Sequence, residues 1–104
     1  MIDKIKIGPI EYEVIELGCL EDHNNNPIYG AVDMGLCRMV LESFANHQWK
    51  AVSLLHEVVH VMLDQAGQEH DEKTINVLAH GIYGLIKYNP ELVDWIGGDD
   101  QTAP

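Results

Sequence analysis

Between Asn46 and Gly67 the chain carries a segment that only a helix packed inside a folded protein can satisfy. Asn46 is a good N-cap, and Gly67 is suited to the left-handed position after a helix C-terminus, so together they bracket a helix from His47 to Ala66. Trp49, Val52, Leu55, Val58, Val59 and Met62 leave it apolar nearly all round, the pattern of a buried helix rather than a half-solvated one. With 104 residues there is room for one small domain. The rest of the chain must therefore supply the cover.

Upstream, the hydrophobic period is that of strands. Ile5 and Ile7 alternate with Lys4 and Lys6, and Gly8-Pro9 punctuates the run. Ile10, Tyr12, Val14 and Glu16 then share one side of a second run, with Glu11, Glu13 and Ile15 on the other. A polar loop over 21–27 leads to two short runs, Ile28 to Asp33 and Cys37 to Glu42, separated by a Met34-Gly35 hairpin turn. Connections this short favour antiparallel pairing.

Downstream, Asp71 caps a second helix that runs to about Tyr88, where Asn89-Pro90 stops it. Ile75, Leu78, Ala79, Ile82, Leu85 and Ile86 form its apolar stripe. Pro90 to Ile96 adds one more turn, with Trp95 packing back. The expected class is α+β: a short antiparallel β-meander of three to four strands, packed against the buried helix and the second helix. The domain spans 1–96, and 97–104 forms a polar tail expected to be mobile.

Three polar residues interrupt the apolar segment from Leu54 to Leu63: His56, Glu57 and His60. Burying them costs several kcal/mol unless each is paired or ligated. They spell H-E-x-x-H. Imidazoles at i and i+4 leave a helix on the same side, one turn apart, close enough to share one Zn²⁺. Glu57 is displaced about 100° round the helix, out of the coordination plane but within reach of a water beside the metal, as a general base requires. With 6 His and 9 Glu in the chain, about 0.03 accidental matches are expected, so the pattern is read as a metal site.

The segment Leu54-Leu55-His56-Glu57-Val58-Val59-His60, between a β-meander and a Glu-headed helix, resembles the minimal gluzincins, in particular the small phage and bacterial proteins near the ImmA/IrrE metallopeptidases. The likeness continues through Val77-Leu78-Ala79-His80-Gly81-Ile82-Tyr83 and Tyr88-Asn89-Pro90-Glu91-Leu92-Val93. It implies a thermolysin-type zinc peptidase reduced to its core. It also implies Glu72, in the first turn of the second helix, as third ligand, with Asn76 supporting the site. Geometry alone leaves a competitor. In a simple antiparallel helical hairpin the chain climbs about 9 Å from His60 to Ala66, and the return helix comes level with His60 near residues 76–80, which favours His80. Glu72 requires a steep crossing or a 67–71 loop that folds back.

His80 and Tyr83 are further candidates to stabilise an oxyanion. His23, His47 and His70, in or beside loops, are read as solvated. The expected activity is zinc-dependent peptide hydrolysis with Glu57 as base. The rival is a metal-binding interaction module, an adaptor or inhibitor, that kept the fold without catalysis. Either strand of the expected hairpin, Ile28 to Asp33 or Cys37 to Glu42, could receive an extended peptide at its edge.

Charge narrows the partners. The net charge of −11 is spread evenly, with three cations against eight acids up to residue 45 and three against nine after it. Nucleic acid and anionic membrane are poor partners for such a surface; a basic or disordered peptide or protein segment is a better one. Cys19 and Cys37 do not make a disulfide scaffold, and the N-terminus lacks an apolar signal segment, so a soluble, cytoplasmic protein is expected.

Overall fold

The structure is a computed structural model that describes residues 2–98. Four strands, β1 (Lys4–Ile7), β2 (Ile10–Leu17), β3 (Gly30–Asp33) and β4 (Arg38–Glu42), precede three helices, α1 (His47–Gln65), α2 (Glu72–Tyr88) and α3 (Pro90–Ile96). The class is α+β, as the change of hydrophobic period implies.

The sheet is mixed, not an antiparallel meander. Its spatial order is β1-β2-β4-β3, with β4 parallel to β2 and antiparallel to β3. Short connections do not force antiparallel neighbours here, because the chain crosses one strand position through the 18–29 loop and the β3–β4 hairpin fills the gap. Two side chains organise that loop. Glu42 accepts the N–H of Leu20 at 2.8 Å, and Asp22 accepts those of Asn24 and Asn26 at 2.8 and 3.0 Å. β3 begins at Gly30, two residues later than the hydrophobic run suggests, and the hairpin loop spans 34–37. Cys37 takes a positive φ of 52° just before β4 starts.

Alternation along the strands selects the core. Tyr12 and Val14 of β2 and Met39 and Leu41 of β4 face α1, which answers with Val58 and Val61. Glu16, placed by period on the inner side, lies exposed near the end of β2, where it pairs with Lys50 of α1. Asn46 caps α1 through its side-chain oxygen, which accepts the N–H of Trp49 at 2.9 Å. The far end is tied to the sheet by Gln65, whose Nε2 donates to the carbonyl of Ile7 at 2.8 Å.

α1 is apolar on several sides because it lies between layers: the sheet covers one side, and α2 packs on α1 rather than on the sheet. Val52, Glu57, Val58, Val59 and Val61 are buried, whereas Trp49 and Met62 stay largely exposed. α2 departs further from expectation. Ile75 and Ala79 are its buried residues, while Leu78, Leu85 and Ile86 of the same stripe are exposed. Beyond Ala79, α2 buries nothing fully against α1, and among the described elements α3 contacts only α2. Trp95 does not pack back; it is 80% exposed. Of the expected mobile tail, Gly97 and Gly98 follow α3 as a turn and a bend, and 99–104 lie outside the described residues. No helix among the described residues is long and apolar enough to cross a membrane.

Candidate metal centre

α1 ends in a full Schellman motif. The N–H of Gly67 bonds to the carbonyl of Asp64 at 3.1 Å, that of Gln68 bonds to Leu63 at 2.9 Å, and Gly67 supplies the left-handed φ of 66°. Residues 68–71 then run outside regular structure, with Asp71 extended. An extended residue covers roughly twice the height of a helical one. The loop therefore undoes the climb of α1 before α2 begins, and Glu72 rather than 76–80 arrives level with His60. Of the two routes open to Glu72, the folded-back loop is present.

The result is a compact triangle of donor groups, two imidazoles and one carboxylate. Nε2 of His56 and Nε2 of His60 lie 3.2 Å apart. One carboxylate oxygen of Glu72 is 2.8 Å from His60 Nε2, and the other is 3.2 Å from His56 Nε2. A tetrahedral cation about 2.0–2.1 Å from each donor asks for donors about 3.3–3.4 Å apart; the two imidazole nitrogens, 3.2 Å apart, meet that spacing, and the Glu72 carboxylate lies close enough to both to supply a third donor. His56, His60 and Glu72 are the residues that could hold a divalent metal.

Electrostatics favour the same protonation states. The His60 pKa is lowered, first by burial and further by His56 and His70, against the pull of Glu72. Neutral imidazole is the form that ligates. Glu57, next to His56 but turned inward, is 8% exposed. Burial, and secondarily the charge of Glu72, push its pKa up to about 7. A carboxylate poised near neutrality is suited to take and return a proton.

Glu57 and His56 border a cleft of about 330 Å³, whose walls include Tyr29, Trp49, Val52 and His80. Tyr29 and Trp49 stack there with ring centroids 5.0 Å apart and planes 13° apart. The cleft also meets Gly30 at the start of β3, the outer strand of the sheet. β4 is paired on both sides, so of the two hairpin strands only β3 has an edge to offer.

The other candidates fall into distinct places. His80 is exposed; its Nδ1 donates to the carbonyl of Asn76 at 2.9 Å, and it stands outside the donor triangle. Asn76 borders the cleft, but among the described residues its side chain hydrogen-bonds to no ligand. Tyr83 does not border the cleft, and its hydroxyl accepts from Lys87 Nζ at 2.8 Å. His70, read from sequence as solvated, is exposed yet lies against the site: its Nδ1 is 2.7 Å from Nδ1 of His60. Sequence period cannot reveal this contact. The signal was the fold-back that Glu72 needs, since a loop returning to His60 carries His70 past it. No known family, curated protein or solved structure compared with this chain matches it.

Proposed function

We propose that this protein is a zinc-dependent peptidase in which His56, His60 and Glu72 hold the metal and Glu57 is the general base. The reading rests on one observation: two imidazole nitrogens 3.2 Å apart, with the Glu72 carboxylate 2.8–3.2 Å from them, stand beside the buried carboxylate of Glu57, which borders a cleft. Two imidazoles with one carboxylate suit zinc among the common divalent ions. When bound at three protein ligands, zinc lowers the pKa of water towards 7 and polarises a carbonyl.

The chain's own residues then do the proton work. Glu57 takes a proton from the attacking water as its oxygen adds to the carbonyl carbon. It returns that proton to the amide nitrogen as the C–N bond breaks, and ends as it began. His80 borders the cleft and, when doubly protonated, is the donor available to the developing oxyanion; Tyr83, engaged with Lys87 away from the cleft, is not. An extended peptide laid along the free edge of β3 passes the Tyr29–Trp49 pair and reaches Glu57. The net charge of −11 favours basic segments.

The test is zinc content together with cleavage of a mixed peptide library by wild type, Glu57→Gln and His60→Ala. Wild type should bind one equivalent and cleave, Glu57→Gln should bind and not cleave, and His60→Ala should do neither. Cleavage by Glu57→Gln, or a wild type that takes up no zinc, refutes the assignment. Zinc binding without cleavage by wild type transfers support to the metal-bound adaptor or inhibitor.

A further inference from the structure

We infer that His70 is a positioning residue for the metal centre: it accepts a hydrogen bond from Nδ1 of His60 and so holds that ring with Nε2 bare and aimed at the metal. This rests on the reading of His56, His60 and Glu72 as ligands. The two Nδ1 atoms are 2.7 Å apart, while the ring centroids are 5.0 Å apart with planes inclined by only 23°. The centroid separation exceeds the nitrogen separation by about two ring radii. The rings therefore meet edge to edge, nitrogen to nitrogen, as a near-linear N–H···N bond requires.

Proton accounting sets the direction. A single proton must lie between the two Nδ1 atoms. If His60 Nε2 is to ligate, the imidazole proton of His60 sits on Nδ1 and is donated to His70. His70 then carries its own proton on Nε2, where its exposure lets it reach water. In the opposite arrangement His70 donates, and His60 Nε2–H points at Glu72, 2.8 Å away. The pair thus has two proton arrangements, one matched to a metal and one to a hydrogen-bonded apo site. Ligating histidines commonly rely on a carboxylate or carbonyl for this duty; among the described residues, the partner of His60 Nδ1 is a second imidazole. The Schellman turn at Gly67 and the 68–71 loop deliver it, so the device that brings Glu72 into the triangle also sets the orientation of His60.

The substitution His70→Asn provides the discriminating test, because Oδ1 of an asparagine side chain occupies nearly the place of histidine Nδ1 and only accepts there. Zinc affinity would be measured by competition with a chromophoric chelator for wild type, His70→Ala and His70→Asn. Removal of such a partner costs about 10–100-fold in affinity. His70→Ala should show that loss, and His70→Asn should recover most of it. A second readout is the ring N–H proton resonance of His60 in the zinc-loaded protein, expected to be protected from exchange in wild type and His70→Asn and lost in His70→Ala. Wild-type affinity in His70→Ala overturns the inference and leaves the metal site standing. His70→Asn as weak as His70→Ala overturns it in favour of direct ligation by His70. A wild type without zinc removes the underlying site and this inference with it.

Discussion

One carboxylate oxygen of Glu72 stands 2.8 Å from Nε2 of His60, so the first turn of α2 reaches back past the last turn of α1 across the loop that joins them. His80, two turns further on, bonds to the backbone of its own helix instead. Glu72→Ala should therefore weaken zinc binding by more than about 100-fold, beyond what loss of a supporting residue causes. His80→Ala should keep one equivalent. Metal content by mass spectrometry after dialysis separates the two, and the reverse pattern would make His80 the ligand.

Without metal, Glu57 should make stability fall as pH rises. A carboxyl whose folded pKa is raised from 4.5 to about 7 holds its proton longer in the folded state, so the penalty begins above pH 4.5 and is complete above about 7. The full effect is up to about 3 kcal/mol. His60 acts oppositely: its lowered pKa costs stability as pH drops through the ordinary histidine range. Subtracting the Glu57→Gln curve from that of wild type, both in chelator between pH 4 and 8, cancels His60 and isolates Glu57. A flat difference would count against the buried carboxylate.

Two glycines with left-handed backbone should differ in cost. At Gly67, φ is 66° and an added Cβ meets nothing within 4 Å, so Gly67→Ala should cost about 1 kcal/mol from the backbone alone. At Gly8, φ is 58° and the Cβ would come 2.8 Å from Gln65 Oε1, displacing the side chain that bonds to Ile7. Gly8→Ala should cost about 2 kcal/mol. Urea midpoints on the apo protein rank the pair, and equal costs would refute the Gln65 contact.

Burial on α2 and α3 predicts a sharp contrast. Ile75 is completely buried against α1, and Ile75→Ala should destabilise by roughly 2–4 kcal/mol. Trp95, although the larger side chain, is 80% exposed, and Trp95→Ala should stay within about 0.5 kcal/mol of wild type. Chemical denaturation followed by far-UV circular dichroism decides it, and a large loss at Trp95 would mean that α3 is covered in solution.

The helices were legible because caps and period are local properties. Asn46, Gly67 and Asn89-Pro90 mark ends within a residue or so of where α1 and α2 begin and stop. His56, Glu57 and His60 were legible because buried polar residues are costly and their spacing fixes which side they share. Strand order was not, since alternation in Ile10–Leu17 and Arg38–Glu42 says which side is inward but nothing about which strand lies next. Leu85 and Ile86 misled for a related reason: a stripe reports what a helix face is able to bury, while the length of α1 decides how much of it finds a neighbour. The contact of His70 is not legible in the sequence, because its partner is set by the path of the 68–71 loop, which no period encodes.

Because β4 inserts between β2 and β3, the sheet cannot be laid down in chain order. β4 meets β2 only once the 18–29 loop has given up its freedom, a non-local closure that strands paired in chain order would not need. Until it does, Met39 and Leu41 are missing from beneath α1, and Val58 and Val61 face solvent. The helix that bears the histidines therefore owes its seat on the sheet to a long-range closure rather than to its immediate neighbours in sequence.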